Sequence, residues 1–274
     1  IGKVLTLLPD YKGVIAISFT NKASDELKKR CNRKGISAKQ SFFGTIDKFY
    51  ISQIIIPFAS HLTNCTAEYS VCNDIRNDPQ YSRLIDFSIT PNSDQEILLI
   101  AALSEGKIFL EKSGEIALYI LQKVPGALKY IKARFSHIFI DEYQDCGEIQ
   151  HRIFLQLVNA GLIGIAVGDI NQAIFGFANR FPKYLIELIG NSEFSHFELS
   201  KNHRCHPSIS EYSLCLLGAS KSIPTDKRVF LVNVQGSEIQ IAQKIDQYLD
   251  RIKDAYSVTS NNRIAILCRG NGTI

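Results

Sequence analysis

The chain has 274 residues, 45% of them apolar and 21% charged, with a net charge of +4. That balance excludes a disordered, collagen-like or fibrous chain, and at roughly 150 residues per domain it leaves room for about two domains. The longest apolar runs stop far short of the ~18 residues a membrane span needs, and no secretory pattern opens the chain, so no membrane association is expected. The excess of bases is mild: it permits a nucleic-acid partner without arguing for one. The cysteines number 7 and none are spaced CxxC, which points to reduced thiols in a cytoplasmic protein rather than a disulfide framework or zinc ribbon. The chain opens on Ile1 with no initiator methionine, so a fragment of a longer protein is expected.

Residues 14–19 (VIAISF) form a continuous apolar, β-branched run, as in a strand buried on both faces of a parallel sheet. The run leads into Thr20-Asn21-Lys22 and a helical stretch over 23–30 with acids early and bases late, which suits the helix dipole. Thr45 opens a second helical run carrying Phe49, Ile54 and Ile55. Residues 66–134 change character: Asn, Asp, Pro and Ser punctuate short helical patterns, and no buried strand is expected there. Residues 137–140 (HIFI) read as a buried strand, 148–158 as an amphipathic helix, 164–167 (GIAV) as a third buried strand and 194–199 as a fourth. Residues 221–236 read as loop, 238–252 as helix and 263–268 (RIAILC) as a late strand. Strands alternating with helices predict an α/β fold with a parallel sheet.

Ligands of such sheets collect at the carboxyl ends of the strands. Three of the predicted strands end there in polar clusters: Thr20-Asn21-Lys22, Asp141-Glu142 and Gly168-Asp169. An apolar strand delivering Asp141 and Glu142 to its tip has the Walker B form, in which one carboxylate holds Mg²⁺ and the next polarises the attacking water. Taken alone, the same pair could be two solvated acids at a strand end.

The pair does not stand alone. Asp141-Glu142-Tyr143-Gln144-Asp145 resembles the DExQD motif of superfamily 1 DNA helicases of the UvrD, Rep and PcrA type. Other segments follow in that family's order. Residues 18–23 (SFTNKA) resemble its TFTNKA segment, 44–49 (GTIDKF) its GTxHxF segment and 167–175 (VGDINQAIF) its VGDxxQSIY motif. Residues 199–204 (LSKNHR) are similar to LxxNYR, and 264–269 (IAILCR) to its next strand. Within the family, residues 43–69 and 134–145 are most similar to the helicase-like subunit of Gabija, a bacterial antiphage defence system.

The resemblance implies a RecA-like motor domain from residues 1–65 and 135–199, a helical insertion at 66–134, and the beginning of a second, truncated RecA-like domain at 200–274. It implies an ATP-dependent DNA helicase or nucleoside triphosphatase that uses Mg²⁺ and ATP or another NTP on single-stranded DNA or DNA ends. A hetero-complex with an OLD-family nuclease subunit of Gabija would follow. Asp141 would be the metal ligand and Glu142 the catalytic base. Gln144 and Gln172 would sense the γ-phosphate, and Arg204 would reach it from the second domain. Thr20, Asn21, Lys22, Thr45 and Phe175 would face DNA, the polar groups binding phosphates and the aromatic stacking on bases. Two alternatives stay open: a DNA-repair helicase of UvrD type, and a non-unwinding module that senses DNA ends while docked on a nuclease.

The sequence departs from the family in places. No GxxxxGK[ST] phosphate loop is present; Gly2-Lys3-Val4 lacks its hydroxyl, so residues 2–8 are read as the helix that follows a loop lying upstream. Asp47 stands where most relatives carry His, and Ala178 where an arginine is usual, with Arg180 displaced. The final two motifs, with their arginine finger, are absent, so this fragment by itself is expected to be inactive. His203, Cys205, His206 and Cys215 fit no familiar zinc spacing. Asp94 with Glu105-Gly106-Lys107 is only faintly similar to the acid and E-x-K set of metal-dependent nucleases.

Overall fold

The computed structural model describes residues 1–173, 182–217 and 233–265. The chain divides into two compact units, Ile1–Phe197 and Glu198–Ile274.

The first unit is built on a four-stranded, all-parallel sheet of β1 (Gly13–Ile17), β2 (Phe42–Gly44), β5 (Phe135–Ile140) and β6 (Ile163–Ala166), in the order β2-β1-β5-β6. The apolar run of β1 is buried along its whole length, as its central place requires. A parallel sheet needs a crossover between neighbours, and the helices supply it. The helix Asn21–Arg33 returns β1 to β2, and the helix Glu148–Asn159 returns β5 to β6. The helix Gly2–Leu7 precedes β1, as expected from the sequence. This is the α/β parallel-sheet architecture that the alternating pattern predicted.

A second sheet pairs β3 (Ser70–Cys72) with β4 (Lys107–Phe109), again in parallel. This corrects the expectation that residues 66–134 hold no strand. Each strand is only three residues long, below the length at which periodicity can be read. Nor do residues 66–134 keep a core of their own. Leu99, Phe109, Ile116 and Ile120 of this region join Ile15, Ile17, Ile138 and Phe154 of the main sheet layer in a single cluster of buried side chains. The helix Ser113–Lys123 lies at its centre, with Ile116, Ala117, Leu118, Tyr119, Ile120 and Leu121 all buried.

Three further expectations change. Residues 194–199 are irregular, and Phe197 and Leu199 are 85% and 91% exposed, so among the described residues no neighbouring strand covers them. The place of a fourth strand belongs to β2, whose three residues lead straight into the Gly44-Thr45 turn. β6 is an edge strand with Ile163 exposed, not one buried on both faces. At 261–263 the chain makes a 3-10 turn, and Ile264 and Ala265 continue without regular structure; the rest of the expected late strand lies outside the described residues. The loop expected over 221–236 also lies largely outside them.

In the second unit the helix Pro207–Leu216 starts at His206, whose side chain accepts from the Ser208 N–H. The helix Glu238–Tyr256 opens with a capping box between Ser237 and Gln240.

Candidate nucleotide and nucleic-acid site

The parallel register brings four strand tips to one edge of the sheet. Ile17 lies opposite Gly44 and Ile140, and Ile140 opposite Ala166. Backbone hydrogen bonds carry this alignment past the strand ends: the Asp141 N–H donates to the Ile17 carbonyl at 3.0 Å and the Val167 N–H to the Ile140 carbonyl at 2.9 Å. The polar clusters named from the sequence therefore stand side by side, as the strand-end rule requires.

The acidic half of the edge lies beyond β5 and β6. Glu142 adopts the left-handed conformation at φ 56°, ψ 42°. A non-glycine residue holds that conformation at a cost of about 1–2 kcal/mol, so its surroundings must fix it. They do so on both sides. The Glu142 N–H donates to Asp141 Oδ1 at 3.1 Å, and the next residue, Tyr143, donates its N–H to the Val167 carbonyl at 2.8 Å. Half-burial and the neighbouring Glu142 charge push the Asp141 carboxyl above its ordinary range, while its bond from the Glu142 N–H opposes them.

Gln144 is buried and uses both ends of its amide. Its Nε2 donates to Glu142 Oε2 at 2.7 Å, and its Oε1 accepts from the Asp169 N–H at 3.0 Å. Asp169 then holds Gln172: Oδ2 accepts from Gln172 Nε2 at 2.6 Å while Oδ1 accepts from the Asn171 N–H at 2.9 Å. One hydrogen-bonded chain thus runs Glu142–Gln144–Asp169–Gln172 across the tips of β5 and β6. Gly168 makes that approach possible, since a Cβ there would stand 2.6 Å from Gln144 Oε1 and 2.9 Å from Leu185 Cδ2.

The polar, basic half lies beyond β1 and β2. Thr20 caps the helix Asn21–Arg33, its Oγ1 accepting from the Ala23 N–H at 3.2 Å. Asn21 and Lys22 are exposed, and Thr45 precedes the helix Ile46–Phe49 with its hydroxyl free of any cap bond. Lys48 joins the two segments by donating from Nζ to Asn21 Oδ1 at 2.8 Å. Asp47 turns to the region 66–134 instead, where its Oδ1 accepts from the Ser113 hydroxyl at 3.0 Å.

Of the residues named from the sequence, Asp141, Glu142, Gln144, Gln172, Thr20, Asn21, Lys22 and Thr45 belong to the first unit and come together along this edge. Arg204 lies in the second unit, where its N–H and that of Cys205 donate to Asn202 Oδ1 at 2.8 and 3.0 Å. Phe175, Ala178 and Arg180 lie outside the described residues. The sequence reading passed over Lys48, Asp169 and Gly168 as site residues. All three stood inside quoted motifs, and Gly168-Asp169 was named as a strand-tip cluster, but only the fold shows which neighbours they hold. Among the described residues no group of His, Cys, Asp and Glu gathers three or more members around a metal position, so His203, Cys205, His206 and Cys215 form no such cluster. No helix of the described residues is long and apolar enough to cross a membrane.

Residues 87–189 match the family model of the UvrD/REP helicase N-terminal domain. The chain is 33% identical over 225 residues to Gabija protein GajB of Bacillus cereus (strain VD045), covering 79% of this chain and 42% of GajB. It is 32% identical over 144 residues to the putative ATP-dependent DNA helicase R568 of Acanthamoeba polyphaga mimivirus, covering 50% of this chain and 20% of that protein. It is 33% identical over 108 residues to ATP-dependent DNA helicase srs2 of Schizosaccharomyces pombe (strain 972 / ATCC 24843), covering 38% of this chain and 12% of that protein. The chain thus spans less than half the length of GajB and a smaller share of the two helicases. Glu142, Gln144, Asp169 and Gln172 all fall inside the matched domain, which the parallel sheet and its strand-tip acids accompany. Residues 87–189 thus carry the sequence signature of the UvrD/REP helicase N-terminal domain.

Proposed function

We propose that the chain is the motor part of a DNA-stimulated nucleoside triphosphatase that hydrolyses ATP or another NTP while engaged on single-stranded DNA or DNA ends. The observation that carries this reading is the hydrogen-bonded chain from Glu142 through Gln144 and Asp169 to Gln172. It fixes a carboxylate and two amides along one strand-tip edge, next to a hydroxyl-, amide- and lysine-bearing surface. The acidic half suits a nucleotide with its metal ion, and the basic half suits a phosphate backbone.

The donor set fits Mg²⁺. Asp141 and Glu142 stand side by side, and among the described residues no salt bridge neutralises either. Asp141 would hold the ion, with nucleotide phosphates and water completing a shell that Mg²⁺ seldom draws from protein alone. When bound, the ion neutralises charge on the phosphates. Glu142, held by Gln144, would orient a water and take its proton. Gln144 and Gln172 form the link between that carboxylate and the Asp169 turn, through which the phosphate state would reach the DNA side. We assign Arg204 to the γ-phosphate on its motif alone. Thr20, Asn21, Lys22 and Thr45 are assigned to the DNA backbone, and Phe175 to base stacking.

In this reading the first unit, with 66–134 as an insertion, is the first RecA-like domain, and the second unit begins another. The likeness to GajB supports a place in a Gabija-type antiphage complex with a nuclease subunit. A second reading, a DNA-end sensor that does not separate strands, draws on Asp47, whose carboxylate is committed to Ser113. The test is nucleotide hydrolysis by the whole protein with and without single-stranded DNA, beside strand displacement. Stimulated hydrolysis that Glu142→Gln abolishes is expected. Hydrolysis indifferent to both DNA and Glu142→Gln would overturn the reading, and turnover without displacement would favour the sensor.

A further inference from the structure

The strained Glu142 turn is anchored by a buried polar relay that the proposed chemistry leaves unused. Tyr143, fully buried, follows Glu142 in the chain and brings its phenol oxygen to 2.9 Å from His151 Nδ1. His151, on the helix Glu148–Asn159, is buried too. Its Nε2 faces Glu187 Oε2 at 3.5 Å, and its ring stacks on Tyr184 at 4.8 Å between centroids. Glu187 and Tyr184 belong to the helix Lys183–Gly190, which also sends Leu185 against Gly168.

We propose that Tyr143 and His151 are positioning residues that hold Glu142 in its left-handed, base-competent conformation and tie it to the helix Lys183–Gly190. This deepens the hydrolytic reading above and rests on it.

Hydrogen-bond supply sets the geometry of the relay. The Glu187 carboxylate, 3.5 Å from Nε2, favours the tautomer with its proton on that nitrogen, which leaves Nδ1 as the acceptor for the Tyr143 hydroxyl. Tyr143 is then pinned at both ends, its N–H on the Val167 carbonyl and its hydroxyl on His151. A residue pinned in this way cannot rotate its backbone, and the left-handed torsions of the residue before it are fixed in turn. Edge-to-face packing of Tyr143 on Phe154, at 5.2 Å, holds the ring plane. The groups facing His151 from the packed elements are Tyr143, Tyr184, Glu187, Arg152 and Lys183. Burial holds the imidazole below its ordinary pKa range, in keeping with a neutral ring that accepts at Nδ1. Glu187 and Tyr184 touch His151 directly, so a shift of the helix Lys183–Gly190 would be felt at Glu142 through His151.

The test takes Tyr143→Phe, His151→Leu, His151→Asn and the Tyr143→Phe/His151→Leu pair in the whole protein, with wild type and Glu142→Gln alongside. Asn keeps an oxygen near the Nδ1 position, whereas Leu removes the acceptor. Tyr143→Phe and His151→Leu are each expected to lower kcat about tenfold with KM for nucleotide unchanged, a loss of orientation rather than of binding. His151→Asn should recover most of that loss, and the double variant should be no worse than either single one. A second measurement needs no turnover: amide exchange at Tyr143 and Asp145 should quicken in the Phe and Leu variants and return toward wild type with Asn. Additive losses, a rise in KM equal to the fall in kcat, or unchanged exchange would overturn the proposal. Should wild type hydrolyse nothing, the hydrolytic reading fails by itself, and the exchange result still decides whether the relay fixes the turn.

Discussion

Two groups of carboxylates in the first unit have opposite fates. Asp78 and Glu105 converge on Lys107, whose ammonium lies 2.9 and 3.1 Å from them and sits over the Tyr81 ring at 4.8 Å. These contacts raise the lysine above its ordinary range, the bond to Asp78 contributing most, and hold Glu105 below the usual carboxylate range through bonds from Tyr81 and Lys107. Asp141 and Glu142 have each other instead of a lysine, and Asp141 is pushed the other way. A neutralised cluster fastens β4 to the turn at 75–81. An uncompensated pair, mounted on a strained turn at a strand tip, is where the proposed function puts the metal ion. The E-x-K triplet noticed in the sequence is therefore a structural knot, and Asp94, its supposed acid, is not among the partners of Lys107.

The contrast can be broken from either side. The largest expected effect is on turnover: Glu142→Gln should slow DNA-stimulated hydrolysis about a hundredfold or more, while Glu105→Gln leaves it unchanged. Equal losses in the two would erase the distinction. Next is Gly168→Ala, whose Cβ would crowd Gln144 Oε1 and Leu185; about 1–3 kcal/mol of stability should be lost in denaturant titration, together with activity.

A smaller effect comes with pH. Burial holds His151 and His137 below the ordinary imidazole value of 6.5. The unfolded chain therefore takes up protons first as pH falls. Their contribution is complete above about 6.5 and is lost as pH drops through the lower, folded values. Melting temperature measured from neutral to mildly acidic pH should decline, and the decline should be shallower in His151→Asn.

The smallest effects should carry opposite signs. Asp141→Asn relieves a half-buried carboxylate beside a like charge and should stabilise the metal-free protein by less than about 1 kcal/mol, read as a small rise in melting temperature. Lys107→Met leaves Asp78 and Glu105 facing each other and should lower it. Added Mg²⁺ with nucleotide should stabilise wild type and not Asp141→Asn.

Much of this was legible in the chain. The run at 14–19 specified β1 because only a strand covered on both faces tolerates such unbroken apolarity, and HIFI before Asp141-Glu142 fixed what β5 delivers to its tip. The short strands escaped notice: β2, β3 and β4 span three residues each, too few to show alternation. At 194–199 the composition suited a strand, yet a strand needs a neighbour, and the nearly naked Leu199 has none among the described residues.

The sequence by itself determined the α/β alternation, the identity of the strand-tip acids and the order of the motifs, since each is a property of local pattern and spacing. Only the tertiary structure decided which side chains meet. It placed Gln144 between Glu142 and Asp169, Lys48 on Asn21, His151 beneath Tyr143 and Ser113 on Asp47, 66 positions away in the chain. Hydrogen bonds and ion pairs act over about 3 Å in space, and no one-dimensional pattern encodes a distance that the packing of the sheet and its helices sets.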